Sequence, residues 1–136
     1  MITRILDASV AVAWYVRESF SPKAEDWQRR MLDGEVSFLV PRLHYWEFGN
    51  VLRTYVLRRE LTPALARDIY ALHLGAPIEI LDPSPDDILK LALEYATTAY
   101  DAVYIALALA HDIPIVTGER STTPWVAKLG ALAEPL

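Results

Sequence analysis

The sequence predicts an α/β fold: a parallel sheet with helices on both of its faces. Three observations carry this. Strand-like runs alternate with helical stretches along the whole chain, the order that βαβ units leave in a sequence. The 136 residues show no internal repeat, linker or low-complexity stretch, so residues 1–136 read as one domain. Hydrophobic residues make up 53% of the chain, which excludes disorder and suffices for a sizeable core.

The elements follow in order. Ile2 to Leu6 reads as the first strand. Ala8 to Val16 follows as a helix, with Asp7 and Ser9 as good capping types. Ser21-Pro22 opens a second helix, proline being suited to the first helical position, and it runs to Leu32 before Gly34. Val36 to Val40 is a second strand, stopped by Pro41. Arg42 to Arg59 has a long helical apolar pattern. Thr62-Pro63 caps the next helix, which ends near Gly75, and Pro77 to Leu81 makes a short third strand. Ser84-Pro85-Asp86-Asp87 combines a cap, a proline and first-turn acids, a strong start for a helix to Ala96. Thr97 to Tyr100 reads as a turn before a helix from Asp101 to His111. Ile113 to Thr117 is a fourth strand, Ser121 to Leu129 a short helix, and Ala131 to Ala133 a last edge strand.

Composition removes several function classes. There is no cysteine, so disulfides, zinc-thiolate sites and thiol nucleophiles are excluded. No apolar run is long enough for a membrane span. The N-terminus lacks a signal-peptide pattern, and a cytoplasmic protein is the expectation. A net charge of −5 argues against nucleic-acid binding by broad attraction. That argument weakens if bound cations neutralise some of the acids. Arg42, Arg53, Arg58, Arg59 and Arg120 could form a local basic rim, although each singly reads as a solvated surface residue.

Acids in unusual places carry the chemistry. Asp101 opens the apolar stretch from Ala102 to Ala110 and shares a helical face with Ile105 and Ala108. Glu47 falls among Leu43, Trp46, Val51 and Leu57. Asp7 ends the apolar run Ile5-Leu6, and Glu119 lies just past the fourth strand. Parallel α/β sheets bind ligands beyond the carboxyl ends of their strands, at a topological switch point. Asp7 and Glu119 both lie at that edge.

Crowded carboxylates repel, so without a cation at least one takes up a proton. Oxygen donors suit Mg2+ or Mn2+, and no His pair or Glu-His pair at metal spacing suggests zinc. Such ions could activate a water for phosphodiester cleavage with no histidine base. Taken singly, Asp7 is explained as a helix cap, Asp101 as a first-turn acid and Glu119 as an ordinary loop acid. Glu47, mid-helix on an apolar face, has no such explanation, and the functional case rests on the set.

Ser9 and Thr117 flank the expected site and could orient a carboxylate, with capping and a strand-end hydrogen bond as the plainer roles. Asn50, one turn beyond Glu47, is a candidate supporting amide. His44, His73 and His111 sit near helix ends and read as surface or capping residues. Trp14, Trp27, Trp46 and Trp125 read as core or interface anchors.

Ile5-Leu6-Asp7-Ala8-Ser9, Glu47 after Pro41, Tyr100-Asp101-Ala102-Val103-Tyr104-Ile105-Ala106-Leu107-Ala108 and Ile115-Val116-Thr117-Gly118-Glu119 occur in that order. Together they resemble the PIN-domain ribonucleases, most closely the VapC toxins of toxin–antitoxin pairs. The resemblance covers essentially the whole chain. It implies a three-layer α/β/α fold with a five-stranded parallel sheet, and Mg2+- or Mn2+-dependent endonuclease action on RNA. Asp7, Glu47 and Asp101 map onto the family's metal-binding acids. Glu119 stands where the family usually has a fourth aspartate, and its side chain is longer by one methylene. The resemblance also implies a small antitoxin partner and a homodimer, for which Trp46, Tyr55 and Leu57 offer apolar area.

Rival readings fit less well. A phosphoacceptor receiver domain needs paired acids after the first strand, and Asp7 is alone. A haloacid-dehalogenase phosphatase needs Asp-x-Asp, and Ser9 stands at the second position. A non-catalytic RNA- or protein-binding module on the same fold is the serious alternative.

Overall fold

The computed structural model covers residues 1–136. Five strands form one parallel sheet in the order β3-β2-β1-β4-β5, with β1 Ile2–Leu6, β2 Val36–Val40, β3 Ile78–Ile80, β4 Ile115–Thr117 and β5 Ala133–Pro135. Seven helices cover it: α1 Ala8–Val12, α2 Ser21–Leu32, α3 Leu43–Leu57, α4 Pro63–Leu74, α5 Ile88–Glu94, α6 Ala99–His111 and α7 Pro124–Leu129. The expected α/β/α architecture is the observed one.

Strand alternation splits the core in two. Leu6, Phe38, Val40 and Val116 pack with residues of α1 to α4 on one face. Ile5, Leu39 and Ile115 pack with residues of α5, α6 and α7 on the other. The chain runs from β1 outward through β2 to β3, then returns to the far side of β1 to place β4. The switch point therefore lies between the carboxyl ends of β1 and β4, where such sheets bind ligands.

Several boundaries differ from the sequence expectation. Helix α1 ends at Val12 rather than Val16, because Trp14 N–H donates to Ala11 and Tyr15 N–H to Val12, a tightened last turn. The buried Ser21 hydroxyl takes the Ala13 carbonyl at 3.0 Å. Pro85–Asp87 forms a separate 3₁₀ turn before α5. Helix α7 starts at Pro124 rather than Ser121, and β5 falls two residues later than expected, after a 3₁₀ turn at Gly130–Leu132.

Helix α6 starts two residues before Asp101. Thr98 is its N-cap and accepts a hydrogen bond from Asp101 N–H at 3.0 Å. Asp101 is thus the third residue of the helix, in the position that a capping box fills with an acid.

The largest correction concerns two histidines. His44 and His73 are fully buried rather than at the surface. His111 is exposed, in the last turn of α6.

Candidate active site

The carboxyl end of β1 delivers Asp7. Its backbone N–H donates to Val116 in β4 at 3.0 Å, which fixes it against the neighbouring strand. Asp7 occupies the N-cap position of α1, yet its side chain makes no capping hydrogen bond of normal geometry. Instead Asp7 Oδ2 accepts from the Thr117 hydroxyl at 2.7 Å. Burial pushes the Asp7 carboxyl above its usual range, and the charge of Asp101 adds to this. The Thr117 hydroxyl and the nearby Ser9 hydroxyl and N–H pull the other way without overcoming burial.

Glu47 reaches the same edge from α3. Its Oε1 accepts from the Tyr104 hydroxyl at 2.7 Å, a contact across to α6. Burial, with the charges of Asp7 and Asp101 adding to it and the Tyr104 bond opposing it, raises its pKa to about 7. Asp101 is held from its own side, where Oδ2 accepts from the Thr97 hydroxyl at 2.5 Å. Asp7, Asp101, Tyr104, Ile115 and Trp125 line one small cleft. Three acids from three elements therefore act on one another through space.

Glu119 sits differently. It is exposed, and its Oε2 accepts from Thr123 at 3.3 Å. It is not among the charges that raise Asp7 or Glu47. Its N–H donates to Thr117 Oγ1 at 3.1 Å, so this loop and Asp7 share one buried threonine. Ser9 Oγ accepts from Gly118 N–H at 3.0 Å. A Cβ at Gly118 would lie 2.8 Å from the Phe20 ring and 3.1 Å from Ser9 Oγ, so the loop approaches this closely only with glycine there. Asn50 is exposed on α3, and its side chain makes no hydrogen bond to the acids.

Tyr104 and Thr97 are the supporting residues that sequence reading missed. Tyr104 had a local signal, since it lies one helical turn beyond Asp101 on the same face. Thr98, three residues before Asp101, had the capping-box signature. Thr97 had none beyond its neighbourhood.

The donor set is hard carboxylate oxygen, with hydroxyls behind it. That chemistry fits Mg2+ or Mn2+, and a cation would offset the raised pKa values of Asp7 and Glu47. In the present geometry no three acidic or histidine side chains close on a single point. The acids would have to draw together around an ion.

The PIN domain family matches residues 4–121, and the chain belongs to that family. PIN domains are generally nucleases. No curated protein matches the chain significantly. The crystal structure of PAE2754 from Pyrobaculum aerophilum is similar, with a TM-score of 0.73, 23% identity, and coverage of 98% of this chain and 90% of that one. That likeness concerns the fold. No helix is long and apolar enough to cross a membrane.

Proposed function

We propose that this protein is a Mg2+- or Mn2+-dependent endoribonuclease acting as the toxin of a toxin–antitoxin pair. The observation that supports this most is the mutual influence of Asp7, Glu47 and Asp101 near the switch point, with Asp7 and Glu47 raised by burial and by the neighbouring acids. Carboxylates arranged so are unfavourable alone and suited to holding a cation.

The chain's own residues divide the work. Asp7, Glu47 and Asp101 would hold the ion. Thr117, Tyr104 and Thr97 each fix one oxygen of these acids, so the remaining oxygens are aimed rather than free to rotate. Glu119 stands at the margin as the fourth acid. When bound, the ion supplies a polarised water and charge stabilisation for in-line phosphodiester cleavage. Arg120, exposed and without an ion pair, lies beside Glu119 at the edge of the site and suits an RNA phosphate.

A homodimer and a small antitoxin complete the proposal. On α3, Trp46 and Leu57 are 65% and 64% exposed, with Asn50 and Arg53 exposed between them. Antiparallel pairing of α3 with a second copy sets Trp46 against Leu57 and Asn50 against Arg53, a self-complementary stripe of the kind a two-fold interface requires.

The test is cleavage of mixed structured RNAs by purified protein in magnesium, manganese or EDTA, with Asp101→Asn beside it. Metal-dependent cutting lost in the variant is expected. Cutting that survives at the wild-type rate rejects the assignment.

A further inference from the structure

A polar chain runs through the interior behind the acids. The Tyr15 hydroxyl lies 3.0 Å from His73 Nδ1, His73 Nε2 lies 2.9 Å from His44 Nε2, and His44 Nδ1 lies 3.1 Å from the Leu6 carbonyl oxygen. Burial and the neighbouring His73 together lower the pKa of His44 to about 3 against the Leu6 bond, and burial lowers that of His73 to about 4. Both rings are therefore neutral at pH 7.

One end of the chain sets the direction of every bond. A carbonyl only accepts, so His44 carries its proton on Nδ1. His44 Nε2 is then an acceptor, and His73 donates to it from Nε2. His73 Nδ1 is left to accept from the Tyr15 hydroxyl.

The ladder explains why Leu6 needs this donor. Even-numbered residues of β1 bond toward β2: Ile2 N–H donates to Glu35, and the register pairs Ile2 with Val36 and Arg4 with Phe38. Continued one step, the pattern sets Leu6 against Val40 and calls on residue 41 to donate to the Leu6 oxygen. Residue 41 is proline, which has no N–H. His44, at the start of α3, supplies the missing proton.

Leu6 immediately precedes Asp7, and Glu47 lies one turn beyond His44 on α3. The bond thus ties together the two backbones that carry two of the three acids. We infer that His44 is a positioning residue for the acid cluster: through the Leu6 carbonyl it fixes the end of β1 that presents Asp7 relative to Glu47 on α3, and His73 satisfies the His44 nitrogen that this tautomer leaves as an acceptor. This rests on the metal-site reading above.

Two substitutions separate positioning from packing. Asparagine at 44 places an N–H near the imidazole Nδ1 position, keeping the bond to Leu6 while losing the link to His73. Leucine fills similar space and donates nothing. Manganese affinity is measured by calorimetry on folded protein, with Tm recorded for each variant. Both variants are expected to lose stability. His44→Leu is expected to bind manganese about tenfold more weakly, and His44→Asn close to wild type. Wild-type affinity in His44→Leu overturns the positioning role. Equal losses in both variants overturn the Leu6 bond as its route.

Wild-type protein that binds no manganese overturns the metal-site reading itself. The chain is also tested without metal, by 15N–1H spectra of the wild-type imidazoles. His44 protonated on Nδ1 and His73 on Nε2 is the expected pair, and the reverse pair overturns the inference.

Discussion

Two polar assemblies flank the end of β1, and they are finished to different degrees. The Tyr15–His73–His44–Leu6 chain is complete within the protein. Each ring nitrogen has a partner and both rings are neutral. The acid cluster is incomplete. Each of its three carboxylates has one oxygen fixed by a hydroxyl, and burial with mutual repulsion raises Asp7 and Glu47. Asp7 also has the Ser9 hydroxyl and N–H beside it, while the second oxygens of Glu47 and Asp101 have no hydrogen-bond partner within the protein. Internal completion makes the first assembly a brace. On the proposed function the second would be completed by a cation from outside, as a site is and a core is not.

The comparison breaks most visibly at Asp101. Replacing it with asparagine removes charge from the incomplete assembly and leaves the brace untouched. Metal-dependent RNA cleavage is expected to fall by at least about a hundredfold. In EDTA the variant should be as stable as wild type or more so, because one repulsive charge is gone. Cleavage rates and urea midpoints measured on the same preparation check both halves.

His44→Leu is expected to reverse the pattern of stability. It strands the Leu6 carbonyl and the His73 N–H, both buried, and each unsatisfied group costs about 1–3 kcal/mol. A loss of about 3 kcal/mol in urea denaturation is expected. A loss below about 0.5 kcal/mol would mean that the chain does not bear on stability.

The two assemblies also respond oppositely to pH. Glu47 has a folded-state pKa of about 7 against an ordinary 4.5. Its favourable contribution is full below about 4.5 and is lost as pH rises through about 7. The histidines are shifted down from 6.5 to about 3 and about 4. Their contribution is full above about 6.5 and is lost as pH falls toward those values. Glu47→Gln removes the first dependence alone. In EDTA its stability relative to wild type should rise between about pH 4.5 and 7 and then level off. Allowing for solvent at this partly buried group, the plateau is about 1–2 kcal/mol. A flat difference across that range would remove Glu47 from the strained set.

Local signals made much of this legible. Alternating runs specified the sheet, Pro63 and Ser84-Pro85 marked helix starts, and Asp101 stood out at the head of an apolar stretch. The rest depends on contacts between distant segments. His44 and His73 lie 29 residues apart in sequence, and a place near a helix end says nothing about burial. Pro41 was readable as a strand stop. Its second consequence, a carbonyl on β1 without a donor, exists only once the register of β1 and β2 is known. Tyr104 belonged visibly to an apolar helix face, yet the acid that receives its hydroxyl is on another helix. Helix α1 read as longer because the Ser21 hydroxyl that takes the Ala13 carbonyl comes from the next helix.

Glu119 gives the smallest expected effect and the sharpest limit on where the cluster ends. It is one methylene longer than aspartate, accepts from Thr123, and does not contribute to the charge that raises Asp7 or Glu47. On the proposed function an acid so placed would act through water or through the general field rather than by direct ligation. Glu119→Gln should therefore reduce cleavage by less than about tenfold, while Asp7→Asn matches the loss at Asp101. Parallel rate measurements on the two variants decide between these positions. If Glu119→Gln proves as severe as Asp7→Asn, the carboxylate must leave Thr123 and join the other three when metal binds. Thr123→Val should then tighten manganese binding, because it removes the hydroxyl that competes for Glu119. If Glu119→Gln is mild, the same substitution at Thr123 should leave manganese binding unchanged.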